Sequence, residues 1–141
     1  MGFSIRATAT YTPRGDTGRF IAAKIAPAVL DATEDMGRVV LLEAQRIVPV
    51  DTGELQASGR VIVRETGSSC VADIEFTAGH AAYVEYGTGI AGAASPGAGP
   101  YPYSANWPGM RAQPYLRPAL EIGRAEAVGE YALKIRESLG V

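Results

Sequence analysis

The chain has 141 residues, 47% apolar and 20% charged, which fits one soluble domain built round a single core. Lys+Arg 13 against Asp+Glu 15 gives a formal charge of −2, so no basic surplus points to nucleic acid as the main ligand, although local basic patches stay open. One cysteine, Cys70, excludes an intrachain disulfide, and one histidine, His80, excludes a histidine-based zinc site within the chain, so neither metal nor cofactor is expected.

In chain order, MGFSIRATAT lacks the apolar core of a signal peptide, and Arg6 stands where a myristoylation signal carries Ser or Thr. No apolar run is long enough to span a bilayer, so no membrane partner is expected and synthesis is expected to be intracellular. Residues 3–12 alternate loosely, with Phe3, Ile5, Ala7 and Ala9 on one face, as a weak first strand does. PRGDTG at 13–18 reads as a turn. Ile25, Val29, Ala32, Met36, Val39, Val40, Ala44 and Ile47 then recur at three- and four-residue steps, which predicts a helix over 20–47. Pro27 fits a break in that helix or its first regular turn, and Pro49 ends it.

RVIVRE at 60–65 has the β-branched content of a strand, and CVADIEF at 70–76 alternates Cys70, Ala72, Ile74 and Phe76 against Val71, Asp73 and Glu75. With the turn TGSS between them these form an antiparallel hairpin, half-buried on one face. AAYVEY at 81–86 is either a third strand or a short helix. Residues 87–114 contain eleven Gly or Pro among 28, so no regular element is expected to persist there. A last helix opens at Tyr115 with Pro118 in its first turn, and Leu116, Ala119, Leu120, Ala127, Tyr131, Ile135 and Leu139 make its apolar stripe. The class is α+β: a small antiparallel sheet packed against two long helices, one domain over 1–141, with an extended Gly/Pro-rich loop insert at 88–113.

Two Asp-Thr-Gly triplets, Asp16–Gly18 and Asp51–Gly53, raise the question of an aspartic protease. Such a site needs two carboxylates sharing a proton, each on a loop leaving a buried strand. Asp51 instead follows a helix ended by Pro49, and Asp16 lies between Arg14 and Arg19. One chain is also about half the length of a two-lobed enzyme, which leaves only a homodimer using Asp51. The alternative is structural: Asp51, with Glu54 three residues on, resembles a capping box, with Val50 and Leu55 as a hydrophobic staple. On this reading both triplets open helices.

Three stretches in order carry a resemblance: AQRIVPVDTGELQASGRV, HAAYVEYGTG and QPYLRPALE. They resemble the small tail-component or neck proteins of long-tailed double-stranded-DNA bacteriophages, over residues 20–139. The family pattern falls on Pro49, Asp51, Thr52, Gly53 and Leu55, then on Tyr83, Glu85, Gly87, Thr88 and Gly89, and finally on Leu116, Arg117, Pro118 and Ala119. The resemblance implies a structural, non-catalytic protein of the virion, made in the host cytoplasm. It implies a homo-oligomeric ring in the head–tail connector or at the tail top, coaxial with the DNA channel, that helps complete the tail and join it to the filled head. Its partners would be further copies of itself and adjacent connector and tail proteins, with DNA only as cargo. The link between Gly89 and Gln113 is longer here than the family's.

Each singled-out residue has a plain structural reading beside any functional one. Glu85 is a candidate general base or a carboxylate receiving backbone and arginine hydrogen bonds at a turn; no nucleophile lies near it, which favours the second. Gly87-Thr88-Gly89 lacks the Lys-Ser/Thr end of a phosphate loop and suits a turn needing positive φ. Cys70 reads as a small buried hydrophobe. Arg117, at a helix start where the dipole disfavours a cation, is expected to face a carboxylate, on this or a neighbouring subunit. Tyr101, Tyr103, Trp107, Arg111 and Tyr115, in or beside the insert, are candidate protein-contact residues. Base stacking ranks last, because Arg111 is the insert's only cation. A small binding module is a third function class.

Overall fold

The three- and four-residue apolar spacing in the first half of the chain forms one helix, α1 (Gly15–Ile47), 33 residues long and so about 50 Å from end to end. The computed structural model describes residues 3–10, 15–67 and 69–141. The expected strand end at Tyr11 and Thr12, Pro13 and Arg14 of the PRGDTG turn, the Met1-Gly2 pair and Ser68 of the hairpin turn lie outside the described residues. Helix α1 begins about five residues earlier than expected and runs through Pro27 without a break, so Asp16–Gly18 is helical rather than a turn. The carbonyl that loses its donor to Pro27 belongs to Ala23, and both residues are exposed, so water can replace the missing bond.

The buried face of α1 starts only at Val29 and continues through Ala32, Thr33, Gly37, Val40 and Ala44. The buried Thr33 hydroxyl donates to the Val29 carbonyl at 2.7 Å, so it carries no unsatisfied polar atom into the core. Beneath this face lies a three-stranded antiparallel sheet, β1 (Phe3–Thr10), β2 (Gly59–Thr66) and β3 (Ser69–Phe76), in the order β1-β3-β2. The hairpin occurs where expected, and its alternation puts Cys70, Ala72, Ile74 and Phe76 into the core. Gly37 permits a close approach of helix to sheet: a Cβ there would stand 2.7 Å from Val61 and 3.1 Å from Ala72. On the other sheet face the buried Asp73 carboxylate receives Arg6 at 2.7 Å and Arg64 at 2.9 Å, one from each neighbouring strand, and Arg60 pairs with Glu75 at 2.5 Å.

Helix α5 (Leu116–Leu139) packs along α1 through small and apolar residues, Leu116, Ala119, Gly123 and Ala127. A single helical turn, α2 (Glu54–Ala57), carries buried Leu55 between α1 and β2. The AAYVEY stretch resolves as a short helix, α3 (Ala81–Tyr86). The insert is not devoid of regular structure: α4 (Gly89–Ala93) lies inside it, and Thr88 pairs with Met110 as an antiparallel bridge. The observed class is the expected α+β, with one cluster of buried side chains running from Val40 and Ala44 through Leu55, Ile74 and Phe76 to Tyr115 and Leu116. The Tyr115 ring meets Phe76 edge-on at 4.9 Å, a favoured aromatic geometry.

Candidate functional site

Helix α3 is only six residues long, and Ala81, Ala82 and Glu85 form its buried face. A carboxylate in that phase must find donors or lose its charge. Glu85 is 0% exposed, and its donors come from the start of α5, thirty residues on. Its Oε2 accepts from the backbone amides of Tyr115 at 2.8 Å and Leu116 at 2.9 Å. Its Oε1 accepts from the amide of Arg117 at 3.2 Å and from the Arg117 Nε at 2.8 Å. A helix start leaves four amides without partners, and Tyr115 at the N-cap offers no side-chain cap of its own. Glu85 therefore caps α5 from a distance and neutralises Arg117, which sits where the helix dipole disfavours a cation. The charge faced by Arg117 is thus in its own chain, not on a neighbouring subunit.

Arg117 continues outward from this contact. Its Nη2 donates to the Gly97 carbonyl at 2.7 Å and to the Glu85 carbonyl at 3.4 Å, and its guanidinium carbon lies 4.6 Å from the Tyr86 ring centre. Gly97 belongs to the insert, so one side chain ties together α3, α5 and the loop. Further ties close the insert. The Tyr103 hydroxyl donates to the Tyr86 carbonyl at 2.9 Å and accepts from the Gly99 amide at 2.6 Å. The Ser95 hydroxyl donates to Ala91 at 2.6 Å and accepts from the Ala112 amide at 3.0 Å. Thr88 and Met110 exchange both backbone bonds, at 2.8 and 3.0 Å. Gly87 and Gly89 take the positive φ expected of them, +77° and +59°. Gly109 is crowded as well, since a Cβ there would lie 1.9 Å from the Thr88 oxygen.

The second and third motif stretches therefore meet in one polar cluster, and the first borders it. A hollow of about 470 Å³ is walled by Pro49–Leu55 on one side and by His80, Val84, Met110 and Gln113 on the other. The Gln113 amide donates to the Val84 carbonyl at 2.8 Å, which fixes the chain leaving the insert. The expected Asp51 cap does not form. Gly53, at φ +84°, is the N-cap of α2, and the Glu54 amide meets the Thr52 hydroxyl at 3.3 Å instead. The aspartate stands two residues before the N-cap once Gly53 takes the left-handed conformation. Asp51 is exposed and makes no hydrogen bond or ion pair with the described residues, and Val50 is left exposed rather than stapled. Asp16 lies in the first turn of α1, beside Arg19 at 3.8 Å.

On the other side of α3 is an apolar cleft of about 320 Å³, lined by Tyr83, Thr88, Tyr101, Tyr103, Trp107 and small residues, with no charged group among them. Tyr101 and Trp107 are exposed beside it, and Tyr101 stacks edge-on with Tyr86 at 5.3 Å. Tyr103 is half-buried and spent on loop closure, and Arg111 is exposed on the surface. Tyr115, expected among contact residues, belongs instead to the core, 0% exposed. Burial, and after it the Glu85 charge, push its phenol above the ordinary tyrosine range. Ser95 and Gly97 were not singled out from sequence; nothing in a Gly/Pro-rich stretch marks which polar atoms will turn inward.

Chemically, both oxygens of Glu85 are filled with two donors each, which uses the four acceptor sites of a carboxylate. It has none left for a substrate proton. The two Asp-Thr-Gly triplets stand at opposite ends of α1, the first within its opening turn and the second beyond its last, about 45 Å apart by helix rise, so they do not converge within one chain. Among the described residues no set of three metal-ligating side chains gathers, and no helix is long and apolar enough to cross a membrane.

Over residues 17–87, from the first turn of α1 to the glycine after α3, the chain matches the HK97-gp10-like family, described as "Bacteriophage HK97-gp10, putative tail-component". The chain belongs to this family. It is a bacteriophage tail-component protein, and the virion is where such a component works. The match contains the 49–55 turn and Glu85 and stops before Arg117, so the partner that completes the buried cluster lies outside the matched span. No curated protein and no solved structure gives a significant match.

Proposed function

We propose that this tail component is a structural, non-catalytic protein working as a homo-oligomeric ring round the DNA channel, in the head–tail connector or at the tail top. There it would help complete the tail and join it to the filled head. The observation that carries the reading is apolar surface the single chain leaves uncovered. Phe20, Leu42, Trp107, Ile122, Val128 and Leu133 are each more than half exposed. Scattered apolar residues are ordinary, but these occupy both long helices and the insert, and large uncovered apolar area marks protein contact. In a ring, further copies cover the flanks and adjacent connector and tail proteins cover the ends. DNA passes as cargo, which suits a chain whose formal charge is −2.

Native mass spectrometry of the purified chain and of dissociated tails tests this. One closed oligomer is expected; a chain that is monomeric in both overturns the ring. The non-catalytic part is tested by comparing wild type with Asp51→Asn on a peptide library. Specific cleavage that disappears in the variant would favour the homodimeric protease using Asp51.

A further inference from the structure

We propose that adjacent copies are joined head to tail by the free arm of α1, residues 15–28, docking on the next copy across its aromatic cleft and its 49–55 turn. The inference rests on the ring reading above. Each side is incomplete alone. No side chain of the arm is buried; the first buried one in α1 is Val29. Phe20 is 72% exposed, and Ile21 beside it is exposed as well. The cleft is uncharged and its rim leaves Tyr83, Tyr101 and Trp107 exposed, so its occupant must be apolar. Phe20 is an exposed aromatic that lies outside that cleft.

Charge says the same. The arm carries Arg19 and Lys24 against Asp16, while the 49–55 turn carries Asp51 and Glu54 and no base. Lys24, Asp51 and the Glu54 carboxylate have no partner among the described residues, and the Arg19–Asp16 contact is exposed and loose at 3.8 Å. The cleft and the turn share a wall: Tyr83 faces the first hollow and Val84 the second. Phe20 and Lys24 are one helical turn apart, about 6 Å, on the scale of the six-residue α3 that separates the two hollows.

Geometry excludes self-docking and sets the symmetry. Phe20 is 27 residues from the end of α1, about 40 Å by helix rise, and the turn follows that end directly. One chain cannot bend its own helix back over that distance. A contact between unlike surfaces at opposite ends repeats with a fixed rotation, and such heterologous contacts close into a ring when that rotation divides a full turn and otherwise run on as a filament.

The test uses full-length variants altered only at exposed positions, Phe20→Ser in the arm and Trp107→Ser in the cleft. Each alone is expected to associate at least about tenfold more weakly than wild type, as loss of a central aromatic anchor does. Their melting curves at low concentration should match wild type. Mixed in equal amounts, they should form a 1:1 dimer and stop there, because the intact arm of one meets the intact cleft of the other and both remaining ends are dead. Lys24→Glu should weaken wild-type association, and adding Asp51→Lys with Glu54→Lys should restore it. A wild-type ring whose two variants still assemble, or whose mixture gives no dimer, overturns the arm docking and leaves the ring standing. A wild type that is monomeric alone and in tails removes the ring and the docking together.

Discussion

Four donors converge on the Glu85 carboxylate, and three of them are backbone amides that cannot move away. Glu85→Ala should therefore cost about 3–5 kcal/mol, since it strands Arg117 and three backbone amides, two of them buried, at once. Glu85→Gln should cost less, because one oxygen survives while the amide group opposes donors. Urea denaturation distinguishes them; a cost below about 1 kcal/mol for Glu85→Ala, the ordinary worth of a neutral hydrogen bond, would sink the hub. Asp51→Ala should shift stability by no more than about 0.5 kcal/mol, as an exposed substitution does, and not by the ~1 kcal/mol of a lost cap. Tyr115 sets an alkaline limit. Its folded pKa is raised, by burial first and Glu85 second, so the folded chain keeps a proton that the unfolded chain releases near pH 10. Its contribution is full below that value and is lost as pH rises above it. Tyr86 and Tyr131 shift the same way, again chiefly through burial. Tyr115→Phe should flatten the decline in melting temperature above about pH 10 without removing it. Glu85 was partly legible in the sequence: an acid in phase with Ala81 on a short helix, and an arginine before a proline at a helix start, each called for an opposite charge. That they answer each other was not, because thirty residues of Gly/Pro-rich chain separate them and no local period spans such a gap.

At the scale of elements, hydrophobic periodicity located both long helices and the hairpin, because burial of one face is what stabilises them. It failed at the start of α1 for the same reason: none of residues 15–28 is buried, so no buried face was there to be read. It failed in the insert because closure there depends on backbone pairing and on glycines, not on apolar spacing. Thr88 and Met110 pair across 21 intervening residues, and Gly109 lets the two segments touch. The insert should accordingly be protected in the free chain, contrary to what its composition implies. Gly109→Ala tests this. The Cβ would overlap the Thr88 carbonyl, and the positive φ of +66° adds strain of roughly 1–2 kcal/mol. The amides of Thr88, Ile90 and Met110 should then lose protection from hydrogen exchange while those of β3 keep it, as local opening predicts. Unchanged protection at those three amides would mean the pairing does not hold the insert.

At the scale of the whole molecule, two kinds of surface are present and they call for different partners. The outer sheet face is finished: Asp73 sits between Arg6 and Arg64, and Glu75 holds Arg60. The outer sides of α1 and α5 and the rim of the insert are unfinished, with apolar side chains facing water and unpaired charge beside them. If further copies cover the unfinished surfaces, the folded assembly is a ligand of its own subunits, and stability must follow mass action. The melting temperature of the wild-type chain should therefore rise with protein concentration, and the rise should vanish in Phe20→Ser, whose monomer is otherwise intact. Salt should matter less than concentration, because apolar contact dominates the proposed interface and only a few exposed charges, screened beyond about 10 Å at ordinary ionic strength, border it. Scanning calorimetry across a hundredfold range of concentration reads both. A melting temperature that does not move with concentration would mean the apolar helix faces are never covered by copies of this chain, and their partner would have to be sought among the neighbouring tail proteins instead.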